Sequence, residues 1–180
     1  MKGIVFTEFL DMVESKFGYE TVDYIIENSN LASKGIYTSI GTYDHSEIVQ
    51  LITQLHHRTG IAVPDLLNAY GKYLHGTFTK NYQQFFEEEK NTLDFLETID
   101  SHIHIEVNKI YPDAQLPSFE TQRLNGNTLE MIYKSDRRMA DFALGLIEAT
   151  MEYYGEQGKI ETEAIQNDGS VVRFVITIES

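Results

Sequence analysis

His104 and the triplet Tyr133, Ser135 and Arg137 are the residues of this chain whose types and spacing can do chemistry together. An imidazole turned towards an interior needs a hydrogen-bond partner or a metal. Tyr-x-Ser-x-Arg offers three donors in a row: the guanidinium grips a carboxylate in bidentate fashion, and the two hydroxyls complete its oxygens. A buried guanidinium requires an anion. The plainer alternatives are a satisfied core histidine, a strand end that emerges into water, and a pairing of Arg137 with an acid of the chain such as Asp44.

The elements that must position these groups follow from periodicity. Leu93, Leu96, Ile99, Ile103, Val107 and Ile110 recur at three- and four-residue steps behind the capping pair Asn91 and Asp94, which predicts one helix over 92–111, stopped at Tyr111-Pro112. At roughly 100° per residue, His104 falls at the margin of the apolar arc and His102 nearly opposite, so one helix cannot aim both at one metal. After this helix the period changes to two. Residues 119–124 and 128–137, joined through Asn125-Gly126-Asn127, read as a hairpin in which Leu129, Met131, Tyr133, Ser135 and Arg137 share the core-facing row.

Elsewhere the pattern predicts a helix from near the first residue to about Gly18, a short one over 21–28, and one after Asp44 to about Gly60. Another begins at Pro64-Asp65 and carries Leu66, Leu67, Tyr70, Leu74 and Phe78. A further helix covers 140–154, and a second hairpin turns at Asn167-Asp168-Gly169. The expected class is α+β: a helical N-terminal part, about 1–60, packed on a part, 61–180, that holds the antiparallel sheet and the ligating helix. Gly71 and Gly145, each in mid-helix, mark close packing or a bend.

Composition sets limits. With 180 residues, 42% of them hydrophobic, the chain supplies one substantial core and no second independent domain is expected. A formal charge of −14 repels nucleic-acid phosphates and anionic lipid surfaces, so neither is an expected partner. No run approaches the roughly 18 apolar residues of a membrane span, and the chain is expected to be cytoplasmic. Without cysteine there is no thiolate ligand, so imidazole, oxygen or thioether must serve any metal. Glu87-Glu88-Glu89 reads as a solvated face or loop.

An inward histidine beside a carboxylate clamp suits a ligand with a metal at its centre and two acids at its edge, a description that haem fits. Here the chain resembles the haem nitric oxide/oxygen binding (H-NOX) domains, relatives of the haem domain of soluble guanylate cyclase. The resemblance spans nearly all of the chain. It rests on the opening Met-Lys-Gly, the helix with His104, Pro117, Tyr133-x-Ser135-x-Arg137 and the run Asp141-Phe142-Ala143-Leu144-Gly145-Leu146.

The resemblance implies haem b, His104 as the iron ligand, Tyr133, Ser135 and Arg137 on the propionates, and Pro117 packed against the macrocycle. The residues expected on the other face of the ring are Val5, Phe9, Leu74, Phe78, Phe142 and Leu146, all apolar. Some bacterial members hold zinc through a cysteine cluster, and that site has no counterpart here. The resemblance implies a stand-alone sensor rather than an enzyme. It is expected to bind nitric oxide and carbon monoxide on ferrous haem, form no stable oxygen complex because Phe142 stands where oxygen-binding members place a tyrosine, and signal by release of His104. Its partner is expected to be a histidine kinase or a cyclic di-GMP enzyme, a diguanylate cyclase or phosphodiesterase. The competing readings are an oxygen-binding sensor or haem enzyme of the same fold, and a haem-free interaction module.

Overall fold

Apolar residues at helical spacing build the first half of the computed structural model, which describes residues 1–179. Helix α1 (Ile4–Phe17) buries Phe6, Phe9, Met12 and Val13, and Gly18, at φ 85°, turns the chain into α2 (Tyr19–Glu27). An irregular stretch then runs to Asp44, whose carboxylate accepts from Ser46 N at 2.8 Å and caps α3 (His45–Thr59). Three contacts hold this stretch firm. Tyr37 stacks on Phe6 with centroids 4.6 Å apart, Tyr43 packs edge-on against Tyr37, and the buried Glu47 accepts from Tyr37 Oη at 2.7 Å.

Pro64 lies in the first turn of α4 (Val63–Asn81), where its missing N–H costs nothing. The buried face of α4, Leu66, Leu67, Tyr70 and Leu74, joins α1–α3 in one core, so the helix that follows the expected division at residue 60 packs on both halves. The short α5 (Gln83–Glu87), which periodicity did not announce, ends at the glutamate run, where Glu87 and Glu88 are exposed.

The expected single helix over 92–111 is instead three pieces. Helix α6 (Thr92–Thr98), capped by Asn91 Oδ1 on Asp94 N at 2.9 Å, passes through a π turn (Ile99–Ile103) into α7 (His104–Ile110). The wider π turn re-phases everything after it, so uniform winding does not describe His104; such turns recur at functional sites.

Strands β1 (Ser118–Asn125), β2 (Thr128–Lys134), β3 (Gly158–Ala164) and β4 (Val171–Ile178) form an antiparallel sheet in the order β1-β2-β4-β3. Leu129, Met131 and Tyr133 of β2 face inward with Val172, Phe174 and Ile176 of β4, and α8 (Ala140–Tyr153) covers that face with Ala143, Ile147 and Met151. One expectation fails here. The strand stops at Lys134, whose partner Val171 begins β4, so Ser135 and Arg137 belong to a turn rather than to the strand row. Ser135 drives that turn: its Oγ accepts from Arg137 N at 3.2 Å, and Arg138 takes φ 57°.

Helices α4 and α8 cross at Gly71 and Gly145 with their backbones touching. A methyl group on Gly71 would meet the carbonyl oxygen of Phe142, and one on Gly145 the carbonyl oxygen of Asn68. Close packing is what both glycines provide.

Candidate functional site

Between the two cores lies an apolar cavity of about 280 Å³, walled by α1, α4, α5, α6, the π turn, α7, the segment 111–117, β1, β2 and α8. His104 enters from the first position of α7. Its side chain is 16% exposed, and its Nδ1 stands 3.1 Å from Asp100 Oδ1, one turn back. A carboxylate only accepts, so Nδ1 carries the proton and Nε2 keeps its lone pair. Asp100 Oδ1 also accepts from Phe119 N at 3.3 Å, which ties the π turn to β1. Burial lowers the His104 pKa while Asp100 acts in the opposite sense, and the net direction is down, which favours the neutral ligand form.

The donors gather at the end of the cavity where β2 gives way to α8. Tyr133 Oη accepts from Met139 N at 3.1 Å, and Ser135 Oγ accepts from Arg137 N, so both hydroxyls retain their protons to donate. Arg137 makes no ion pair among the described residues. Its partial burial lowers its pKa, the mark of a guanidinium short of an anion. Asp44, the protein acid considered for it, caps α3 instead and sits 3.7 Å from His45 Nδ1.

Pro117, Val5, Leu74, Phe78, Phe142 and Leu146 all line the cavity. Phe9 does not. It is fully buried one layer behind, edge-on to Tyr70 at 5.2 Å, and Tyr70 in turn lies 5.1 Å from Phe142. His102 points away, 48% exposed and 3.6 Å from Glu88 Oε2.

Two residues of the site escaped detection in the sequence. Asp100 was legible in principle, as a carboxylate four positions before a candidate ligand. His75 was not: it looks like one polar residue beside Leu74. The fold buries it on the cavity wall with Nε2 unpartnered, its ring edge-on to Phe86 at 5.2 Å, and burial lowers its pKa to about 4. It is neutral at ordinary pH.

Among the described residues no group of three or more histidine, aspartate or glutamate side chains could hold a metal ion. A metal at His104 would therefore bring most of its own ligands. An apolar cavity, one imidazole with a free lone pair, and three donors at one end awaiting an anion fit a metal macrocycle with carboxylate edges. Haem is such a group, and the residues present fit it.

Comparison with known proteins bears on the same point. A family model described as haem-NO-binding matches residues 2–162. An H-NOX protein from K. algicida, solved in the Fe(II) unliganded form, is 46% identical, with 100% of this chain and 97% of that one covered and a TM-score of 0.97. An H-NOX from Shewanella woodyi, solved bound to IWP-051 in the Fe(II)CO state, is 40% identical, with 98% and 94% covered and a TM-score of 0.83. At 24% identity, the H-NOX protein of S. oneidensis in its Fe(II)NO state covers 100% of both chains at a TM-score of 0.91, a likeness of fold. No curated protein gives a significant match. The chain belongs to the H-NOX family of haem-based gas sensors.

No helix among the described residues is long and apolar enough to cross a membrane.

Proposed function

We propose that this chain binds haem b through His104, detects nitric oxide on the ferrous iron, binds carbon monoxide there as well, and controls a separate signalling protein, a histidine kinase or a cyclic di-GMP enzyme. The observation that carries the reading is Arg137: a guanidinium without a protein anion, with two hydroxyls whose protons remain free, lining the same apolar cavity as an imidazole with a free Nε2. Bound haem would supply an iron that accepts a diatomic gas on the face away from His104. The family description, and the carbon monoxide state of the S. woodyi relative, support those two gases.

The chain's own part is positional. Tyr133, Ser135 and Arg137 would hold the acid edge, Pro117 would press on the ring, and Leu74, Phe78, Phe142 and Leu146 would keep water out. His104 is the tie between the pocket and α7. Neither the π turn nor α7 has a fully buried residue, and α7 beyond His104 is held mainly by partly buried side chains, so loss of that tie would loosen it. Such release changes partner affinity only by its different cost in the two states, typically about 1–3 kcal/mol.

The absorption spectrum of the purified, haem-reconstituted protein tests this. A Soret band that moves on addition of nitric oxide to the reduced protein is expected. A chain that takes up no haem, or a band indifferent to nitric oxide, overturns the reading. Turnover of peroxide would indicate the enzyme alternative, against which stands the lack of any carboxylate or guanidinium bonded to His75 among the described residues to complete an acid–base pair.

A further inference from the structure

One part of the cavity wall is neither helix nor strand. Residues 111–117 leave the end of α7 at Tyr111 and reach β1 at Ser118, and Tyr111, Leu116 and Pro117 all line the cavity. Within this segment the one backbone bond is Ala114 N to Tyr111 O, at 2.9 Å. Its main tie to the rest of the molecule is Asp113. That carboxylate accepts from Lys2 Nζ at 3.2 Å and from Thr42 Oγ1 at 2.6 Å, and Lys2 Nζ also donates to Thr42 Oγ1 at 2.9 Å. The hydrogen bonds to Thr42 and Lys2 hold the Asp113 carboxyl below the usual carboxylate range.

The triangle joins three distant pieces of chain. Lys2 and Thr42 are themselves paired as a backbone bridge at the foot of α1, and the Lys2 ammonium stands 5.0 Å over the Tyr111 ring. Lys2 also lines the cavity, with only 13% of its side chain exposed, whereas Asp113 is 61% exposed. A partly covered lysine stem with its head held by an exposed acid is a fastening placed at the cavity's edge.

Two of the other walls do not open cheaply. Helices α4 and α8 touch backbone to backbone, and β2 is paired on both sides. A rigid planar guest enters most readily where few backbone bonds must break; 111–117 has one such bond within it, whereas α7 keeps its helical ladder.

We infer that residues 111–117 are the door through which haem enters and leaves the cavity, and that Lys2, Thr42 and Asp113 are its latch. The inference rests on the proposed haem binding for its guest, but the latch itself does not. Exposed ion pairs are weak and screened by salt, so the latch slows opening by a modest factor and loses that effect at about 1 M salt, where the screening length is about 3 Å.

Two measurements test it. In the haem-free chain, amide exchange over 111–117 should quicken in Asp113→Ala and leave α4 and α8 unchanged; equal exchange in variant and parent overturns the latch whether or not haem binds. In the haem-loaded protein, transfer to excess apomyoglobin should be about 2- to 5-fold faster in Asp113→Ala and in Lys2→Met, the factor an exposed pair is worth. The double variant should be no faster than either single one. Transfer from the parent should accelerate with salt and transfer from Asp113→Ala should not, while both keep the same Soret maximum. Glu120→Ala, which breaks the Lys134–Glu120 pair on the sheet, serves as control and should leave the rate unchanged. Rates for Asp113→Ala equal to the parent, or an equal effect of Glu120→Ala, overturn the proposal. A chain that takes up no haem at all would sink the haem reading and leave the exchange result to decide the latch.

Discussion

Two walls of the same cavity are built in opposite ways. On one side α4 and α8 lie in backbone contact at Gly71 and Gly145, with Leu74, Ala143 and Ile147 buried between and beneath them. On the other, the π turn, α7 and the segment 111–117 hold His104, and neither the turn nor α7 buries a residue. Packed interiors do not deform gradually, whereas a segment with no fully buried residue shifts at lower cost, so the first wall is the stiff one and the second is where the proposed release of His104 would be felt.

The largest predicted effect belongs to the stiff wall and concerns His75. Burial lowers its pKa from the ordinary 6.5 to about 4. Between those values the unfolded chain binds the proton and the folded one does not, so stability is greatest above pH 6.5, falls as pH drops, and levels below about 4. The loss across this window is on the order of 3 kcal/mol. Urea unfolding of His75→Leu from pH 7 to 4 should show a shallower decline than the parent; parallel curves would mean His75 is not sealed in this wall.

Next comes the rim where that wall meets β2. Arg137→Ala should cost about 1.5–3 kcal/mol of haem binding, roughly 10- to 150-fold in a haem titration. Arg137→Lys should recover only part, because an ammonium lacks the planar fork. Full affinity in the alanine variant would leave the carboxylate clamp without support.

Gly145→Ala probes the two walls directly. Forcing a methyl against the Asn68 carbonyl should lower stability by about 1–3 kcal/mol in denaturant unfolding, whereas Ile105→Ala on the outer face of α7, half-exposed, should change it by less than about 0.5 kcal/mol. Similar losses for both would abolish the distinction between the walls.

The smallest change in structure, though the most telling about signalling, is expected of His104→Gly supplied with free imidazole. Haem is then ligated but no longer tied to α7. Amide exchange should rise in the π turn and α7 alone, and the variant should act on its partner as the gas-bound parent does; behaviour like the gas-free parent would rule out release of His104 as the signal.

Much of this was legible in local pattern. Alternation placed Leu129, Met131 and Tyr133 on one inward row, the Asp44 and Asn91 caps marked helix starts, and both hairpins closed at their glycine-bearing turns, because side-chain period and turn chemistry are properties of a few adjacent residues. His104 stood out for the same reason: one polar residue at the edge of an apolar stripe. The α+β order of elements follows from these pieces. Family resemblance added the pocket residues, and all but Phe9 reached the cavity.

The remainder depended on partners far away in the chain. Whether Phe9 touches the cavity is settled by Tyr70, which comes between, and where β2 ends is settled by where β4 begins. The π turn replaces a uniform helix while Asp100 is held by Phe119 N across 19 positions, and the glycines mean contact because α4 and α8 meet there. Arg137 lacks an anion, His75 lacks a partner, and Asp113 reaches Lys2 across 111 positions. Local sequence settled the elements and the chemical types at their faces, since those rest on short-range geometry. Which buried polar groups are satisfied was left to the tertiary fold, because a missing partner shows only when every neighbour is in place.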